Sequence, residues 1–322
     1  MDELTRIYQE IQKLHAGLVA GERFATLPQD FATLMASRVD AAPTPVIVTS
    51  DDEAAIEQIK QITARVKQEK LPQVSDDELA FLVAHLASLN PLVRDKGVFF
   101  CLSDLLQANV LTIQQVRWLF KRLQAPDVLY AHIMEPKNDG VFLRSFAVMI
   151  LSTVVYVDRN RYHVLTKADY AGLVVPLATY IALEKDGRGY VDDKGWAHAY
   201  THIGNLLDEL TQVTTLTRAE KVFLLIAVMN GWQQMDVALV FGEDQRIALY
   251  LTNLANKHQF YAQSLVMCFT QWQKALQALR PVESVAFWNR WYNRSRLLEA
   301  CIMRADMPQT VVDYLQKIID MY

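Results

Sequence analysis

The chain has 322 residues, 52% of them hydrophobic, and a formal net charge of −4. So large an apolar fraction excludes disorder as the default state. The slight acidity excludes a surface that grips nucleic acid or anionic lipid over its whole extent, but not a local basic patch.

Taken in chain order, the sequence opens Met1-Asp2-Glu3, without the basic start and apolar core of a signal peptide. The longest apolar runs, Phe146–Leu151 and Val222–Met229, are too short to span a bilayer. A cytoplasmic protein with no membrane partner is therefore expected. Helical periodicity marks an N-terminal extension over residues 1–40. Pro43 and Pro45 make 41–50 an extended linker. A helical-repeat body is expected over 51–322. In it, Ser75 with Glu78 and Thr217 with Glu220 are placed as capping boxes, and Thr112 and Thr166 as N-caps. Helices are expected to start near Ser75 and Asn90, Thr112 and Asp139, Thr166 and Asp193, and Thr217 and Glu243. Such pairs recur roughly every 50 residues, slightly longer than HEAT-type units. The expected fold is all-α, an α/α superhelix of stacked helix pairs (HEAT/armadillo-like), with a compact α/α bundle of the same helices as the alternative. Cys101, Cys268 and Cys301 are far apart in apolar helical contexts and form no CxxC pair, which fits buried thiols in a reducing compartment.

Each second helix carries polar groups near its start: Arg94 with Asp95, Arg144 with Ser145, His198 with His202, and Asp244 with Arg246. If second helices line a concave face, these form a polar stripe along a groove. The competing reading is ordinary structural pairing between neighbouring helices.

The segment Glu184–Leu210 is the most polar of these. Gly187 and Gly189 mark a turn, and Asp192 or Asp193 is placed to cap a helix. On that helix His198, His202, Asn205 and Glu209 share one face, with Trp196 on the neighbouring apolar face. Two histidines at i and i+4 suit one metal ion, but the Glu of zinc-protease helices is replaced by Ala199 and Asn205 is a poor zinc ligand. No metal and no cofactor is assigned. A general acid/base role for one histidine, with Arg144 or Arg188 holding an anion and Asp193 nearby, is the enzymatic alternative. On this reading Arg144, His198 and His202 lie close together on adjacent helices. Asp186–Gly195 lacks calcium-loop spacing, and no phosphate-cradling Gly motif or nucleophile elbow is present.

Near the C-terminus, Trp288-Asn289-Arg290-Trp291-Tyr292-Asn293-Arg294-Ser295-Arg296 mixes aromatics with arginines. The mixture suits stacking on nucleic acid, and equally a helix that docks its tryptophans and solvates its arginines. Without basic excess elsewhere, nucleic acid is not the expected partner.

Asn90–Asp95, Asp139–Phe146 and Glu184–Leu210, above all the run Arg188–Ala199, resemble the bacterial family known as domain of unknown function 2785. The resemblance runs from about Ile62 to the C-terminus. It implies a fold and no mechanism; an acidic residue is often found in that family where this chain has Asn205, which weakens a metal reading here. The leading expectation is a binding or scaffold module whose concave polar groove takes a peptide, a protein or a small anionic ligand. The alternative is an enzyme of unknown reaction with a His/Arg/Asp site on the same helices.

Overall fold

A computed structural model describes residues 2–68, 73–278 and 282–319. Helix is nearly all of its regular structure. The elements are α1 (Glu3–Val19), α2 (Leu27–Ala36), α3 (Asp52–Gln68), α4 (Asp76–Ala84), the short α5 (Pro91–Val93), a π-helix (Arg94–Phe99), α6 (Phe100–Gln107), α7 (Ile113–Arg122), α8 (Pro126–Leu129), α9 (Gly140–Val157) and a second π-helix (Asp158–Tyr162). They continue with α10 (Lys167–Leu183), β1 (Tyr190–Val191), β2 (Gly195–Trp196), α11 (Ala199–Gln212), α12 (Arg218–Gln234), α13 (Glu243–Lys257), α14 (Gln259–Ala278), α15 (Val285–Ile302) and α16 (Gln309–Ile318).

Local chemistry sets many helix starts. Ser75, Thr112 and Thr217 each accept from the N3 amide, while Glu78, Gln115 and Glu220 reach back to the cap, so complete boxes form. Asn90 caps α5 by accepting from Leu92 N at 2.9 Å, ahead of Pro91 at N1. Residues 38–51 are not helical, as Pro43 and Pro45 require.

The chain divides into two compact units that do not follow sequence order. One holds Met1–Asp40, Lys167–Gly187 and Leu210–Tyr322. Its centre is α10 and α12, whose later turns, Leu177–Leu183 and Val222–Trp232, are apolar around most of their circumference and buried. Of the N-terminal extension over 1–40, α1 packs on both central helices and α2 on α12. Phe31 and His15 close on Phe223, with ring centroids 5.3 and 5.0 Å away. The amphipathic face of α1, Ile7, Ile11, Leu14 and Leu18, accounts for this docking.

The other unit holds Ala41–Thr166 and Arg188–Glu209. Its core helix is α9, against which α6, α7 and α8 pack. Gly140–Tyr162 is long and apolar enough by composition to cross a bilayer, with mean hydropathy 1.9, which the short runs read from the sequence did not register; 72% of that window is buried inside the protein, the pattern of a core helix. Val141 and Phe142 of α9 form a cluster with Ala197 and Ala199, onto which Leu89 and Val191 pack.

Candidate functional site

The sequence places Asp192 or Asp193 as the cap of a helix, but Val191-Asp192-Asp193-Lys194-Gly195 is not helical. It forms a hairpin instead, with Tyr190 paired to Trp196 and Val191 to Gly195. Lys194 N donates to Val191 O at 3.1 Å, and Asp193 and Gly195 hold φ of 63° and 75°. Asp tolerates the left-handed region and glycine enters it freely. A Cβ at position 195 would also lie 2.9 Å from Asp95 Oδ2. Two turn residues and this close approach outweigh the capping tendency of Asp193. The helix starts only at Ala199. His198 therefore precedes it, at φ 51°, with Nδ1 2.9 Å from Thr201 Oγ1. The shared helical face is kept by His202, Asn205 and Glu209 alone.

Arg94 holds the hairpin in place. Its side chain is fully buried. Nη1 donates to Ser88 O at 2.7 Å and Nη2 to Lys194 O at 2.6 Å. Nε lies 2.7 Å from Asp95 Oδ1, an ion-pair distance at an angle too poor for a good hydrogen bond. The guanidinium lies over Phe142 and Phe146, 4.3 and 4.9 Å from their centroids. Asp95 also accepts from Trp196 N. Burial pushes the Asp95 carboxyl above the usual carboxylate range against the pull of Arg94, and lowers the Arg94 guanidinium.

A second lock sits beside it. Asp139 takes Lys194 Nζ at 2.7 Å and Arg188 Nη1 at 3.4 Å, while Arg188 Nη2 donates to Asn138 O at 2.5 Å. Arg188 also approaches Phe142, at 5.8 Å, so that ring lies near two guanidinium groups. Arg144, buried on α9, gives Nη1 to Ala131 O at 2.6 Å. His202 reaches α9 through Nδ1, which donates to Ser145 O at 2.9 Å and so carries the proton. Asn205 Nδ2 approaches Met149 Sδ at 3.5 Å, and Glu209 pairs with Arg159 at 2.5 Å.

The structure thus brings Arg94, Asp95, Arg188, Trp196, His198 and His202 into one connected cluster. The rings run from Tyr190 to Trp196 to His198 to His202 to Phe146, with successive centroids 5.1, 4.2, 6.2 and 5.3 Å apart. Asp193 is exposed at the hairpin tip. Arg246 is exposed on α13, in the other unit. Burial lowers His198 below the ordinary histidine pKa, so it is neutral near pH 7. Among the described residues, no three His, Cys, Asp or Glu side chains gather as a metal-binding group. The charged members serve to fix the hairpin on α5 and α9.

The segment that supplies Arg94 has a second face. Leu92, Lys96, Gly97 and Phe100 turn toward α3 and, with Ile56, Ile59, Lys60, Thr63 and Lys67, line a groove of about 800 Å³. Leu92 and Phe100 are 60% and 50% exposed. The floor comes close to the backbone, since a Cβ on Gly97 would meet Ile59 Cδ1 at 3.0 Å. An adjoining cavity of about 490 Å³ shares Thr63, Lys67, Cys101 and Asp104 and ends at Arg161. Lys60, Lys67, Lys96 and Arg161 make the rim basic, and Asp104 is the acid among the described lining residues. Sequence reading missed this groove, because nothing in the sequence tells that Leu92 and Phe100, on either side of Lys96, stay exposed. The π-helix makes both faces available by shifting the register between Arg94 and Phe99.

A family model described as a protein of unknown function (DUF2785) matches residues 129–303, more than half of the chain. The match begins after Arg94, Asp95 and every described lining residue of the groove except Arg161, and includes the hairpin. No curated protein and no solved structure matches.

Proposed function

We propose that this chain, which belongs to the DUF2785 family, is a binding module whose partner is an acidic amphipathic helix of another protein. The observation that carries this reading is the groove between α3 and the α5–α6 segment. It combines exposed Leu92 and Phe100 with Lys60, Lys67, Lys96 and Arg161, against one carboxylate, Asp104, among the described lining residues. An amphipathic helix buries an apolar face in such a groove and turns its acids to the rim. The polar stripe expected from the sequence is a poorer candidate, because Arg94, Asp95, Asp139 and Arg188 satisfy one another. A stacked-pair arrangement is supported by first helices packing together, α10 on α12, and second helices likewise, α6 on α9. Three buried free thiols suit a reducing compartment such as the cytoplasm.

The test is fluorescence anisotropy with a labelled amphipathic peptide of leucine and glutamate, beside its leucine and lysine counterpart. The acidic peptide is expected to bind, more weakly at high salt, and to lose about tenfold or more on Phe100→Glu. Equal binding of the lysine peptide, or full binding to Phe100→Glu, overturns the proposal.

A further inference from the structure

The arginine and tryptophan segment near the C-terminus plays no part in that groove. It lies on α15, in the unit built on α10 and α12. Its asparagine is structural: Asn293 Oδ1 accepts from Leu239 N at 2.9 Å, and Nδ2 donates to Val237 O at 2.8 Å. Its arginines do not simply face water. Arg290 is exposed, but Arg294 is 1% exposed.

Arg294 has an unbalanced environment. Nη2 donates to Gln273 Oε1 and Ile318 O, both at 2.8 Å, and both acceptors are neutral. Nη1 is buried and has no hydrogen-bond partner. A buried guanidinium with no anion among its described neighbours carries a desolvation cost that those neighbours do not compensate. Its approach to Trp291, 5.9 Å from the ring centroid, offsets only part of that. Burial accordingly lowers the Arg294 pKa.

Arg294 also lines a cavity of about 330 Å³, the lower end of the range for small-molecule sites. Trp272, Phe287 and Trp291 supply aromatic walls; Asn230, Gln233 and Gln234 supply carboxamides; Arg290 stands at the exposed side. No carboxylate is among the described lining residues. Aromatic walls favour a flat ring, carboxamides tolerate a polar edge, and two arginines with no acid among the described lining residues favour an anion.

We propose that the cavity between α2, α12, α14 and α15 binds a small aromatic carboxylate, whose carboxyl group supplies the counter-charge that Arg294 lacks and whose ring lies among Trp272, Phe287 and Trp291. The side chain of Arg294 adjusts to meet it, because only Nη2 is tethered. This site is independent of the basic groove, which belongs to the other unit.

The probes are 2-naphthoate and its neutral isostere 2-naphthylmethanol, followed on the full chain by tryptophan fluorescence and by isothermal titration. Naphthoate is expected to bind at least about tenfold more tightly than the alcohol. Arg294→Met removes that preference and, by removing an uncompensated charge, leaves the melting temperature of the free protein unchanged or higher. Ala275→Phe fills the cavity from α14 while retaining Arg294, and abolishes binding of both probes. The site is refuted if both probes bind alike, if neither binds up to about 1 mM, or if Arg294→Met or Ala275→Phe binds naphthoate as wild type does. If inorganic phosphate raises the melting temperature as much as naphthoate, the aromatic assignment is overturned. Phe100→Glu in the basic groove leaves naphthoate binding intact, so failure at one site is distinguishable from failure at the other.

Discussion

Arg94 Nη2 donates to the carbonyl oxygen of Lys194 at 2.6 Å, joining positions 100 residues apart. The same guanidinium holds Ser88 O and faces Asp95. Arg94→Met is therefore expected to destabilise the protein by about 1–3 kcal/mol, since Ser88 O and Lys194 O lose their donor and half-buried Asp95 loses its counter-charge while keeping Trp196 N. The double variant Arg94→Met/Asp95→Leu recovers part of that loss. Urea denaturation of the three proteins checks this; a single variant as stable as wild type shows that the pair does not anchor the hairpin.

Gly140 and Gly172 predict opposite signs for the same substitution. Glycine to alanine in a helix ordinarily stabilises by about 0.5–1 kcal/mol. At exposed Gly172 a Cβ meets nothing within 4 Å, so that gain is expected. At Gly140 it would meet Ala131 O at 2.9 Å, Asn138 Oδ1 at 2.8 Å and Arg144 Nη1 at 3.1 Å. Relieving those contacts displaces the Arg144–Ala131 bond, and a net loss of about 1–3 kcal/mol follows. Thermal melts of the two alanine variants decide the matter; a stabilised Gly140→Ala contradicts the close approach.

His198 gives a pH dependence. Its burial lowers the folded-state pKa below the ordinary histidine value of about 6.5. Between the two values the unfolded chain binds more protons, so stability is fully present above about pH 6.5 and is lost as pH falls through the folded pKa. His198→Gln is expected to flatten this slope. Denaturation curves from pH 7.5 to 5, with the His198 ring followed by NMR, test it. An imidazole titrating at or above 6.5 refutes the burial.

The linker makes a prediction about proteolysis. Ala41 N donates to Met134 O at 2.7 Å, and Thr44 Oγ1 to Glu135 Oε1 at 2.6 Å. Ile47 is 90% exposed. Brief thermolysin digestion should cut beside Ile47 and spare 41–44. Because α1 and α2 pack on α10 and α12, the nicked N-terminal fragment is expected to stay bound through gel filtration. Its release would mean that this packing is weak.

Sequence alone determined the parts of this protein whose causes are local. Ser75, Thr112 and Thr217 declare helix starts because a cap and its N3 partner lie three residues apart. Pro43 and Pro45 forbid helix by their own covalent geometry. The residues of the polar cluster were legible too, since charges in apolar segments need partners. Their partners were not. Asp193 reads equally as a helix cap or a turn residue, and contact with Asp95 and Pro91 at Gly195 favours the turn. Only tertiary structure decided that Arg94 bonds Lys194, that Leu92 and Phe100 stay uncovered beside four cations, and that Arg294 is buried with no anion among the described residues around it. Each outcome depends on which distant backbone arrives at a side chain, and short-range periodicity carries no information about that arrival.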